Sequence, residues 1–391
     1  MLNRRALRIK AMQAVYAYQQ SKQSDFNLAI NHIIEELQPD LLAAEPEDME
    51  LLKVYQKGAV NIFKTDFQNS RISFPEDTPK RAKDAVINAV AHFRGLVQKD
   101  VEHHRKELIA ETQKIFQSYL KSLNLIVEFA NAADEELKRK QKVFFETPID
   151  AGQFNLVENR YIKAFQADEN FANVLLRNHA DWNQDSEMVW QWYKDALKKN
   201  SSYLEYISKS NPTAEEDKDI LWAIAREVVF KYDGIKSYFE SYELNWSEDK
   251  EIVKSMVKKT IKDLDLESEQ IEVMELSTNW EEDDIFLKTL FDECVEKEQE
   301  YEKYFEHLLK NWEVERTAMM DRIIISMAIA EMLNFPGIPV KVTINEYIEI
   351  SKLYSTPKSK QFINGVLDAV GIELKEKGIL KKSGRGLIDN K

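Results

Sequence analysis

Arg4, Arg5, Arg8 and Lys10 fall within one turn or two of each other near the start of the chain, and Lys358, Lys360 and Phe362 fall together near its end. These residue types hold nucleic acid. A guanidinium forks onto phosphate oxygens and stacks on an unpaired base, which an ammonium does not do. The second group also opens a helix, whose first backbone N–H groups are free to meet phosphate. Phe362 either stacks on a base or packs in the core with Val366. If the two ends meet in the fold, they make one basic edge with an aromatic, as single-strand binding requires. The sequence alone does not bring them together.

Other chemistry is sparse. There is no phosphate-cradling GxxxxGK[ST], no GxGxxG after a strand and no GxSxG elbow. None of His32, His92, His103, His104, His179 and His307 follows a Glu by three positions, so a di-iron helical bundle is excluded. His103 and His104 beside Glu107 are adjacent on a helix, about 100° apart, and seldom converge on a metal. Cys294 is the only cysteine and has no ligand-spaced neighbour. Glu281, Glu282, Asp283 and Asp284 read as a helix N-terminus, where acids suit the dipole. We expect no enzyme, no cofactor and no metal.

The elements that must position the basic groups are helices. Gly and Pro together number 19 of 391, about 5%, against an average near ~12%. The net charge of −14 hides a gradient: residues 1–24 carry five basic residues and no acid, and residues 352–391 carry nine basic and four acidic. The middle therefore holds −24, repelling nucleic acid that the ends attract. The alternative for the basic ends is simple solvation. A lone thiol, the absence of an apolar run of ~18 residues and the interruption of the start by Arg8 and Lys10 predict a cytoplasmic, unprocessed protein away from membranes.

Residues 2–20 read as a first helix with Leu2, Ile9, Met12 and Tyr16 as its buried stripe. Residues 25–70 read as helical with breaks at Pro39 and Pro46, and 71–79 as a loop. Helices over 80–118 and 119–142 follow, then a connector at Thr147 and Pro148. Trp182, Trp246 and Trp312 lie 64 and 66 residues apart, and Tyr238-Phe239-Glu240 and Tyr304-Phe305-Glu306 each begin eight residues before their tryptophan. A period near 65 suits a repeated helical hairpin, either as an acidic docking surface or as duplicated packing alone. Asp321 and Arg322 open an apolar helix, RIIISMAIAEML, stopped by Asn334-Phe335-Pro336-Gly337. Thr343 and Glu346 read as a capping box, Thr356 and Pro357 as the start of the last helix, and Gly371 as its C′ residue. The expected organisation is a helical region 1–145, an acidic repeat insert 155–280, a C-terminal core 281–380 packed with helix 2–20, and a flexible tail 381–391.

The N-terminal RRALRIKAMQAVYAYQQS and the C-terminal PVKVTINEYIEISKLYSTPKSKQFINGVLD resemble the two ends of the NusB family of transcription antitermination factors. The match rests on the arginine-rich start with Gln13 and Tyr16, on Asp321-Arg322, on Pro339 to Glu346, and on Phe362 to Gly365. It covers about 20 residues at the start and 90 at the end, and the chain resembles a long-insert member of the family. The resemblance implies an all-α, NusB-like helical bundle with an inserted region of helical hairpins. It implies binding of boxA-type single-stranded RNA from ribosomal RNA leaders, together with the NusE-type small-subunit ribosomal protein, at the RNA polymerase elongation complex. Arg4, Arg5 and Arg8 match the RNA-binding helix, with Lys10 and Gln13 beside them, and Phe362 matches an aromatic near the RNA. Lys358 departs from the acid common in the family, which leaves the contacts of 356–360 open. Asn345, Glu346, Asn364 and Gly365 match as partner-binding or structural positions, Gly365 as a site of close helix packing. The competing reading is an acidic helical protein-interaction scaffold without RNA binding. NusB-like domains also occur fused to ribosomal RNA cytosine methyltransferases, but the glycine-rich methyl-donor loop and catalytic Cys motif of those enzymes are missing here.

Overall fold

The computed structural model describes residues 2–39, 48–143, 150–268, 270–309 and 319–390. Every regular element among them is helical, so the chain is all-α. Two compact units divide it. One comprises Arg4–Ile109 with Asp284–Lys391; the other comprises Met1–Asn3 with Ala110–Asp283. The first is thus assembled from both arms of the sequence, with most of the second inserted between them. The region expected as 1–145 is divided at residue 109, inside a helix. Pro46, Thr147, Pro148 and Trp312 lie outside the described residues.

In the two-armed unit the N-terminal arm gives α1 (Arg4–Glu36), α2 (Met49–Asp66) and the first part of α3 (Lys80–Val143). The expected pair of helices over 80–142 is therefore one continuous helix. Asp48 caps α2, accepting from the backbone N–H of Glu50 and Leu51 at 2.9 and 3.3 Å. Phe26, Phe63, Phe67 and Phe93 meet between these three helices, with ring centroids 5.0 to 6.3 Å apart. The buried stripe of α1 near its start is Leu7, Ala11, Met12, Val15 and Tyr18. Tyr16, expected inside, is 39% exposed. The stripe is rotated because the buried face has to include Arg8.

The C-terminal arm gives α11 (Trp280–Glu296), α12 (Glu298–Leu309), α13 (Met319–Asn334), α14 (Val340–Tyr354) and α15 (Ser359–Glu376). Helix α13 is apolar on all sides, and α1, α12, α14 and α15 pack around it. Pro336-Gly337 ends it as the sequence predicts. Helix α14 starts at Val340, three residues before the expected cap, so Thr343 is a buried interior residue. Helix α15 begins at Ser359, after a turn at Pro357-Lys358, and runs past Gly371. Its C′ residue is Gly378, at φ +67°, where the N–H groups of Ile379 and Gly378 close onto the carbonyls of Leu374 and Lys375. Gly371 is instead packed against Val340, at 3.3 Å from an added Cβ. Within the tail, Ser383 N–H donates to the Pro336 carbonyl at 3.0 Å, and a 3-10 turn spans Gly384–Asn390.

Among its described residues the other unit holds the rest of α3, the first turn of α11 and seven further α-helices: α4 (Arg160–Ala167), α5 (Glu169–Arg177), α6 (Ser186–Asp195), α7 (Ser201–Ile207), α8 (Ala214–Ile224), α9 (Asp233–Tyr242) and α10 (Trp246–Asp263). Trp182 lies between α5 and α6 and Trp246 opens α10, and both are buried. They converge on Phe239, at centroid distances of 6.4 and 4.4 Å. Lys121 reaches into this core, its Nζ 4.0 Å from the Trp182 ring and paired with Asp185 at 3.3 Å.

Candidate nucleic-acid interface

The first turns of α1 carry four basic side chains, but the fold treats them differently. Arg5 lies outward. Its Nε and Nη2 donate to Glu346 of α14 at 2.8 and 3.0 Å, and its side chain keeps 43% exposure. Arg4 lays its guanidinium over Phe286 of α11 at 4.6 Å. Arg8 is buried. Its Nε and Nη2 donate to Glu331 of α13 at 2.7 and 2.8 Å, and Thr343 Oγ1 donates to the same carboxylate at 2.8 Å. Burial opposes the Arg8 cation, yet the Glu331 carboxylate outweighs that and the net effect strengthens its hold on the proton. Lys10 is also buried, and Gln13 is half-buried with its Oε1 unpartnered among the described residues.

The sequence-derived RNA set therefore divides. Arg5, Lys358 and Lys360 are exposed and Arg4 partly so; Arg8, Lys10 and Phe362 are inside. A buried guanidinium already bonded to a carboxylate cannot fork onto phosphate without opening the bundle. Of the two readings of Phe362, core packing fits its 9% exposure.

The two ends of the chain do meet. Arg5 of α1 and Lys360 of α15 both act on Glu349 of α14, which is held below the usual carboxylate range first by its hydrogen bond with Lys352, then by the fields of Lys352, Arg5 and Lys360. Glu346 is likewise depressed, chiefly by Arg5. The basic residues thus surround an acidic strip on α14, and phosphate must compete with it for Arg5.

Asp321 positions the other basic group. Its carboxylate accepts from the hydroxyls of Ser355 and Ser359, the latter at 2.8 Å, tying down the α14–α15 connector that presents Lys358 and Lys360. Arg322 is exposed and pairs with Glu302 at 2.5 Å. Asn345 is exposed, and Asn364 donates to Asp368 at 3.1 Å. Gly365 faces open space, with nothing within 4 Å of an added Cβ, so it serves no close helix packing. Sequence reading missed Glu331. The signal was present: one acid in the apolar run RIIISMAIAEML has to find a cation if it is buried.

Residues 250–371 match the model of the NusB family. The chain carries a NusB-family domain. Three curated relatives bear the name transcription antitermination protein NusB. That of Chloroherpeton thalassium is 45% identical over 104 residues, covering 27% of this chain and 49% of the relative. That of Salinibacter ruber is 45% identical over 103 residues, covering 26% and 64%. That of Koribacter versatilis is 44% identical over 89 residues, covering 23% and 61%. The chain thus spans about half to under two thirds of the length of these relatives. No solved structure matches it. Within the NusB-family region lie Asp321, Glu331, Glu346, Lys358, Lys360 and Gly365, whereas the arginines of α1 lie outside the matched residues. Among the described residues no group of His, Cys, Asp and Glu is placed to hold a metal ion, and no helix is long and apolar enough to cross a membrane.

Proposed function

We propose that this protein is a transcription antitermination factor. In this reading it binds boxA-type single-stranded RNA together with a NusE-type small-subunit ribosomal protein, at the RNA polymerase elongation complex. It is a binding protein, not an enzyme. The observation that carries the reading is the 44–45% identity to relatives named for antitermination, together with the NusB-family match over 250–371, which holds the α14–α15 connector. The convergence of Arg5 and Lys360 around Glu349 supports a single basic edge. The residues assigned to RNA are Arg4, Arg5, Lys358 and Lys360, with Gln13 at the margin. Arg8, Lys10 and Phe362 act by holding that edge in place.

The test is binding of a boxA-like single-stranded RNA with and without the NusE-type protein. The reading expects tighter binding with the partner present, and loss of affinity in Arg5→Ala/Lys360→Ala with unchanged helicity. Arg8→Glu is unsuited to this test, because it removes a buried ion pair. RNA affinity indifferent to both partner and substitutions would refute the reading.

The inserted unit favours a second role. Residues 110–283 carry 35 acidic against 22 basic residues, so −13 of the net −14 resides there. Such a surface repels nucleic acid and suits a basic protein.

A further inference from the structure

The acidic unit has a cavity of about 530 Å³ between α3 and α6. Glu128, Asn131, Glu135 and Arg139 line it from α3, and Glu187 and Trp190 from α6. Two details distinguish it from a merely charged surface.

The first is an aromatic face already in use by a guanidinium. Arg139 sits 4.9 Å from the Trp190 ring centroid, nearer than the Lys194 ammonium at 5.7 Å, and donates to Glu135 at 3.2 Å. The site thus combines an indole face with a carboxylate, the pairing that favours a flat cation over a compact ammonium.

The second is unmatched negative charge. Among the described residues neither Glu128 nor Glu187 pairs with a cation; Glu128 accepts one hydrogen bond, from Asn131 at 3.1 Å. Glu128 is half-buried, and burial holds its carboxyl above the usual carboxylate range. An incoming cation would relieve that penalty.

We propose that this cavity binds an arginine of a basic segment on a partner protein, its guanidinium held by Glu128 and Glu187 beside Trp190. Glu135 and Arg139 form the rim. The charge of the surrounding unit draws such a segment in, and the indole selects arginine over lysine. RNA is disfavoured by the same charge. The inference concerns the inserted unit and does not depend on the RNA reading of the NusB-family region.

The experiment uses the full chain and two fluorescent probes, a nine-arginine and a nine-lysine peptide, read by anisotropy at physiological salt. Glu128→Gln/Glu187→Gln is compared with Glu267→Gln/Glu272→Gln, which removes the same charge elsewhere on the unit. Trp190→Leu is the third variant, and circular dichroism checks folding of all three. We expect the arginine peptide to bind more tightly than the lysine peptide. We also expect about tenfold loss with the site pair and with Trp190→Leu, and about twofold or less with the control pair. Equal losses from site and control pairs, or equal affinity for the two peptides, would mean diffuse attraction and overturn the proposal. So would a single-stranded RNA that binds wild type and is lost only in the site pair.

Discussion

Arg8 and Glu331 stand 323 residues apart in the chain and share a buried, bidentate ion pair that joins α1 to α13. Removing one partner leaves an uncompensated charge in the core. Glu331→Ala should therefore cost about 3–5 kcal/mol, whereas Arg8→Met with Glu331→Leu should recover most of that loss. Urea unfolding of Arg8→Met, Glu331→Leu and the double gives the coupling. Additive losses would show that the pair does not join α1 to α13.

Asp25 on α1 is buried, with its Oδ2 unpartnered among the described residues, and it faces the charge of Asp100 on α3. Burial, followed by the charge of Asp100, raises its pKa to about 6. The folded value lies above the unfolded one, so the folded state retains a proton that the unfolded state loses. Stability from this pair is full below about pH 4 and is lost as pH rises through about 6. Asp25→Asn should then raise Tm at pH 8 relative to wild type and change it little at pH 4. A larger gain at pH 4 than at pH 8 would reverse the assignment.

The glycines of α15 make opposite predictions. Gly365 is helical, exposed and unhindered, so Gly365→Ala should stabilise by about 1 kcal/mol. Gly378 terminates the helix at φ +67°, so Gly378→Ala should destabilise by about 1 kcal/mol or more. Thermal unfolding of both separates them by sign.

Asp321 ties the start of α15 through Ser355 and Ser359. Asp321→Ala should cost about 1–3 kcal/mol by removing the charged acceptor of the Ser355 and Ser359 hydroxyls, which are left with only each other and Thr356. Hydrogen exchange should quicken at 355–361 more than in α2. Uniform exchange changes across the unit would instead indicate general loosening.

The helical class, the two basic ends and the last three helices were legible because apolar spacing and Pro-Gly stops are local signals. The capping box was misread because Thr343 and Glu346 have the right spacing but serve tertiary partners, Glu331 and Arg5. The same holds for α1. Sequence places Arg4, Arg5 and Arg8 together, yet only the fold decides that Arg8 turns inward to an acid over 300 residues away. Gly371 and Gly378 illustrate the limit for helix ends: both offer a stop, and packing against Val340 extends the helix past the first. The seam between the two units inside α3 left no mark in composition, because a continuous helix crosses it.

We assign single-stranded RNA to the exposed basic edge formed by α1 and the α14–α15 connector. The most direct measurement is RNA affinity across a salt series for wild type and for Arg5→Ala/Lys358→Ala/Lys360→Ala. At about −0.7 in log–log slope per phosphate contact, the triple variant should bind more weakly and with a slope shallower by about 2. A triple variant with the affinity and salt slope of wild type would contradict the account.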